Sequence, residues 1–170
     1  MTTLAACLGA MMARELTTLK KELEAYPSDA DVWRIAPGIT NSAGTLALHL
    51  AGNLRHFIGA VLGGTGYRRD RDREFAARDL PRTELFAGID EAIAAVEATL
   101  GRLPDAELAK EYPEPVAKVR VETGDFLVHL VSHLSYHLGQ VDYHRRLVTG
   151  SAGTVGAVAP GRLRSARPAE

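Results

Sequence analysis

The chain has 170 residues, 46% of them hydrophobic and 24% charged, and a formal net charge of −1. That length serves one domain with a sizeable core, and that composition excludes wholesale disorder. A near-neutral chain offers no basic field to nucleic acid or acidic lipid, so neither partner is expected.

The first predicted helix runs from about Thr2 to Ala25, with Leu4, Leu8, Met11, Met12, Leu16, Leu19 and Leu23 at three- and four-residue steps. Its opening run, "LAACLGAMM", resembles a secretion signal, but no basic segment precedes it and the pattern continues into a charged amphipathic helix. No stretch approaches the roughly 18 apolar residues of a membrane span, so a soluble cytoplasmic protein is expected. The single cysteine, Cys7, precludes a disulfide within the chain and reads as a small buried hydrophobe. Tyr26-Pro27 ends this helix. The connector "SDADVWRIAPG" follows, with Trp33 expected to plug the core beneath it.

A second helix, "TLALHLAGNLRHFIGAVL", is capped by Asn41 or Ser42 and stops at Gly63-Gly64. In "GTGYRRDRDREFAARDLP" the charges alternate and largely cancel, which predicts a long loop with a solvated surface. The third helix follows Pro81 with Thr83 as its cap, and Leu85, Ile89, Ile93, Val96 and Leu100 form its apolar stripe. Pro104, Pro113 and Pro115 exclude helix from the next segment, where "VAKVRVE" has the alternation of a short extended piece. Thr123 is the expected cap of a fourth helix that ends at Gly150. Residues 1–150 therefore predict an all-α four-helix bundle, and residues 151–170, rich in Gly, Ala, Pro and Arg, a loosely docked or disordered tail.

Three of the six histidines lie in "HLVSHLSYHLGQ", residues 129–140, at four-residue intervals. At 100° per residue, His129, His133, His137 and His144 share a sector about 80° wide with Gln140. Phe126 and Leu130 lie on or beside this sector, so it is expected to face inward. A buried imidazole needs partners for both nitrogens, and a divalent metal is an economical partner for two histidines one turn apart. A glutamate does not follow His133, so the helical metalloprotease motif is not met. A further ligand is available from the second helix as His49 or His56. Spacing leaves that choice open, and also the choice between the pairs His129/His133 and His133/His137. For His56, His129 and His144 the expectation is a satisfied core histidine. Three imidazoles and one open position would make a catalytic type of site.

The stretch "SHLSYHLGQVDY", together with "LALHLAGNLRHFIGAVL" and the following "RDRDREF", resembles the DinB/YfiT-like metalloenzyme superfamily, in the branch known as a domain of unknown function. The resemblance covers most of residues 2–149. It implies an up-down-down-up four-helix bundle with one metal ligand on the second helix and two on the last. Carried onto this sequence, the metal ligands are His49, His133 and His137. Gln140 and Asn53 become candidates to orient a ligand or a bound water, and His129 is an addition to the three-ligand pattern. The resemblance also implies a divalent metal, zinc or nickel, a homodimer, and a small-molecule substrate or thiol. The expected function is metal-dependent activation of a thiol or water by a transferase or hydrolase. The alternative is a non-catalytic small-ligand-binding or stress-response protein. No general acid or base is identifiable: Asp142 points away from the histidine sector.

Overall fold

Thr3 opens the first helix, its hydroxyl accepting from the amide of Ala6, and α1 runs Leu4–Glu24 in the computed structural model, which describes residues 3–155 and 159–169. Met12, Leu16, Leu19 and Leu23 on its inner stripe are fully buried, each contributing about 1.5–3 kcal/mol against exposure. Cys7, expected to be buried, is only half-buried, because it lies on the flank of that stripe. The connector contains a short helix that the sequence reading left as coil, α2 (Asp29–Trp33), capped by Ser28. Trp33 is the plug expected beneath it: it is buried, and its indole N–H donates to the Leu80 carbonyl at 2.9 Å.

Ser42 caps α3 (Ala43–Leu54), which continues without a break as a π-helical stretch, Arg55–Leu62, to Gly63. The end point is as expected; the widened winding is not. Within the stretch, the Phe57 carbonyl accepts the Tyr112 hydroxyl at 2.6 Å, a partner outside the helix. The expected solvated loop instead holds α4 (Arg71–Ala76), capped by Asp70, and buries Glu74.

The caps of the last two long helices also differ from expectation. Pro81 occupies the cap position of α5 (Arg82–Leu100) in place of Thr83, and the Arg82 amide donates to the Asp29 carboxylate of α2 at 3.3 Å. Glu122 precedes α6 (Thr123–Thr149), and Thr123 is its first residue. The amides of Thr123 and Gly124 donate at 2.8 Å to the carbonyls of Lys110 and Leu108, which take over much of what a side-chain cap would do there. Gly150, at φ 69°, takes the left-handed conformation that ends α6 as expected. In "VAKVRVE" only isolated bridges form, Val116 to Val119 and Glu122 to Glu111, and no strand is present among the described residues.

The fold is all-α. α1 packs on α5 and α6, and α3 packs on the same two helices from the other side. Lys20 pairs with Asp90 at 2.7 Å across α1 and α5, and Arg145 with Glu22 at 2.6 Å across α6 and α1. Among the described residues no helix is long and apolar enough to cross a membrane. This arrangement sets the middle of α3 against the middle of α6, with α4 laid over α3.

Candidate metal centre

His49 is one turn and a half into α3 and buried; His133 and His137 are one turn apart on α6 and half-buried. Their near nitrogens all lie within 4.8 Å of one another. His49 Nε2 and His133 Nε2 are 3.2 Å apart, and the His133 and His137 rings meet edge to face at 4.6 Å. The α6 histidine stripe does not face fully inward. Leu127, Leu130, Leu134 and Leu138 take the core, and the stripe follows their edge, where α3 meets α6.

Two of the three rings have outer partners. His137 Nδ1 is 2.6 Å from Gln140 Oε1, the orienting role expected of Gln140. His49 Nδ1 is 3.2 Å from Glu74 Oε2 and 3.1 Å from an Arg69 nitrogen. A carboxylate only accepts and a guanidinium only donates, so these two contacts are alternatives set by the tautomer. With its proton on Nδ1, His49 donates to Glu74 and leaves Nε2 free. That is the carboxylate–histidine arrangement that orients metal ligands. Arg69 in turn holds Glu74 through two 2.7 Å bonds, both side chains nearly buried.

Glu74 reaches His49 because position 52 is glycine. A Cβ there would lie 2.1 Å from Glu74 Oε1. Burial raises the Glu74 pKa, but the hydrogen bonds and charges of Arg69 and His49 outweigh it and hold the carboxyl below its ordinary value. Burial, reinforced by His137, His49, His129 and Arg69, pushes His133 down to about 4. Burial also lowers His137. His133 and His137 are therefore neutral at pH 7, with lone pairs available.

The donor set fits a metal ion. When the Nδ1 atoms of His49 and His137 carry protons for Glu74 and Gln140, their Nε2 atoms can only accept. His49 Nε2 then faces His133 Nε2 at 3.2 Å, which a shared proton or a cation reconciles. Neutral imidazole on two rigid helices suits zinc, copper or nickel.

The other histidines are not among the three grouped nitrogens, although the His129 ring stacks on His133 at 6.1 Å. His56, in the π-helical stretch, bonds Glu114 at 2.9 Å and is partly exposed. His129 is exposed, stacked at 6.0 Å on Phe126, and corrects the expectation of a core residue; its position falls on the solvent side of the stripe. His144 is the satisfied core histidine expected, bonded to the Tyr26 hydroxyl at 2.7 Å and the Arg34 carbonyl at 2.8 Å. Asn53 is buried but makes no hydrogen bond to the three imidazoles, and its Oδ1 has no protein partner.

The sequence reading missed Glu74 and Arg69. Asp70 three residues before Arg73, ahead of the apolar pair Phe75-Ala76, was the available sign of a capped helical turn.

The family model of the DinB superfamily matches residues 11–141, a span that includes His49, Glu74, His133 and His137. The chain belongs to the DinB superfamily. No protein of curated function matches it. The DinB assignment agrees with the all-α fold and with a three-histidine group placed to hold a metal.

Proposed function

We propose that this DinB-superfamily chain is a metal-dependent enzyme in which His49, His133 and His137 hold one divalent ion, zinc or nickel. The reaction class is transfer or hydrolysis on a small molecule, with a thiol or water as the activated group. The observation that carries the reading is the convergence of three imidazole nitrogens from two helices, two of the rings held from behind by Glu74 and Gln140. Three protein donors leave a position for an exchangeable ligand, as catalytic rather than structural zinc sites do. When bound, the ion supplies the Lewis acidity that lowers the pKa of a water or thiol.

The chain's own residues do the rest. Glu74 keeps the His49 proton on Nδ1, Arg69 keeps Glu74 ionised, and Gln140 fixes the His137 ring. The Phe75 ring lies 5.0 Å from the His49 ring and shields it from water. A small thiol or electrophile is the partner in this reading, and a homodimer the working unit.

One observation favours a second reading, a non-catalytic metal-containing protein that binds a small ligand or answers stress. Glu74 is the carboxylate bonded into the cluster, and it is committed to Arg69 and His49, so it is not free as a general base. Saturable binding without turnover across a panel of thiols and electrophiles would favour that reading.

Elemental analysis of purified, untagged protein tests the metal first. About one equivalent of a divalent ion is expected in the wild type, and none in a His133→Ala, His137→Ala double variant. No metal in either protein, even after incubation with excess ions, would remove the basis for both readings.

A further inference from the structure

A cavity of about 410 Å³ opens between residues 38–41, the start of α3 and the last third of α6, within the size range of small-molecule sites. It adjoins the histidine cluster. Gln140 lines it while bonding His137 at 2.6 Å, and Leu46 lines it one turn before His49.

The lining has a definite chemistry. Leu46, Tyr143 and Leu147 supply apolar and aromatic surface, and Thr40, Asn41 and Gln140 supply neutral polar groups. Tyr143 and Leu147 are 75% and 60% exposed, so α6 offers this surface without covering it itself. Among the described residues, the lining holds no aspartate, glutamate, lysine or arginine. His144 lines the cavity too, but both its ring nitrogens are committed elsewhere. An ion seated against this wall would give up part of its hydration and find no counter-charge among these residues.

Gln140 adds a direction. Ligation of a metal through His137 Nε2 requires the proton on Nδ1, and that proton requires the Gln140 oxygen. The amide nitrogen of Gln140 is then a donor without a protein partner, on a side chain that borders the cavity.

We propose that this cavity is the substrate-recognition pocket beside the metal centre, and that it takes an uncharged organic molecule with an apolar or aromatic body and a carbonyl-type hydrogen-bond acceptor. Its catalytic meaning rests on the metal reading above; its preference for a neutral ligand does not.

2-Phenylacetamide and phenylacetate test it, since they share a shape and differ in charge. Both are titrated into zinc-loaded and metal-stripped protein, followed by backbone amide shifts. The amide is expected to shift residues 39–41 and 140–147 and, in metal-stripped protein, to bind at least about tenfold more tightly than the acid. The metal-stripped form gives the clean comparison, because a carboxylate can ligate the ion itself. Thr40→Trp, on an exposed loop residue, fills the cavity and should weaken the amide by about tenfold. Leu147→Arg places a cation in the wall and should reverse the preference. Neither variant should change zinc content.

Shifts that map elsewhere, equal binding of acid and amide to metal-stripped wild type, or indifference to both variants would overturn the proposal. Amide binding here in a protein that takes up no zinc would sink the metal reading and keep the pocket. Zinc at one equivalent without amide binding would do the reverse.

Discussion

One helix, α6, holds histidines of two kinds. His144 is closed: the Tyr26 hydroxyl occupies Nδ1 and the Arg34 carbonyl occupies Nε2, and 2% of the residue is exposed. His133 and His137 are open. They are half-buried, and their near nitrogens face His49 and one another rather than hydroxyl or carbonyl groups. All three lie in one sector of the helix, so helical position does not separate them. What separates them is the partner helix. α6 meets the end of α1 and the connector around His144, where hydroxyl and carbonyl groups close the ring, and it meets α3 around His133, where the opposing group is another imidazole. A histidine whose two nitrogens have protein partners is a structural group; one facing a second lone pair is a candidate ligand.

Exchanging the two sites breaks or sustains this contrast. His133→Ala should lower the bound metal from about one equivalent to near none and leave the fold intact. His144→Ala should keep the metal and cost about 1–3 kcal/mol, because it takes the Nε2 partner from the Arg34 carbonyl and leaves the buried Tyr26 hydroxyl only its 3.3 Å contact with the Val141 carbonyl. Metal analysis and urea unfolding of both variants decide the matter, and loss of metal in His144→Ala would erase the distinction. Nearby, Arg145 is 1% exposed and pairs with Glu22 and Asp142. Arg145→Met should therefore destabilise by about 3–5 kcal/mol, the cost of leaving a buried charge unpaired. Adding Glu22→Leu should recover part of that loss. A mild effect of Arg145→Met in urea unfolding would show that water reaches the pair.

The helices were legible because each buries a stripe at helical spacing, as Leu16, Leu19 and Leu23 do in α1. Spacing also put His129, His133 and His137 on one face without choosing a pair among them. It left His49 and His56 open, since two turns separate them. In the structure His49 lies in regular α-helix opposite α6, whereas His56 lies in the π-helical stretch and turns to Glu114. The resemblance to the superfamily had pointed to His49. Glu74 and Arg69 were illegible. Their alternating charges read as solvated, and the Glu74 carboxylate finds room only because residue 52, far earlier in the chain, is glycine. The caps of α5 and α6 were misplaced for a similar reason: Asp29, Leu108 and Lys110 satisfy those amides from other elements. Periodicity is local and shows in a sequence. Satisfaction of a polar group from elsewhere in the fold does not.

The open site can be sharpened through its support. Glu74→Gln keeps the shape and removes the charge that holds the His49 proton on Nδ1. Metal affinity should fall by about 10–100-fold, the usual cost of losing such a partner, with zinc still bound at saturation. Gly52→Ala should do the same by pushing Glu74 away. Competition with a chromogenic chelator measures both. Unchanged affinity in Glu74→Gln would mean that the Glu74 charge does not support His49 as a ligand.

The closed site has a weaker signature, in pH. Burial lowers the His144 pKa below its ordinary 6.5, with the hydrogen bond to Arg34 opposing. Between the folded and unfolded pKa values the unfolded chain holds the proton and the folded chain does not. Stability from this group is therefore complete above the unfolded value and is lost as pH falls through the folded one. His133 and His137 shift in the same direction, so the wild type alone does not isolate His144. The difference between wild type and His144→Gln does. Urea unfolding of both metal-free proteins at pH 7.5 and 5.5 should show a smaller loss on acidification in the variant. Equal losses would mean that His144 titrates as freely in the folded chain as in the unfolded one, and the Tyr26 and Arg34 contacts would then not be closing the ring.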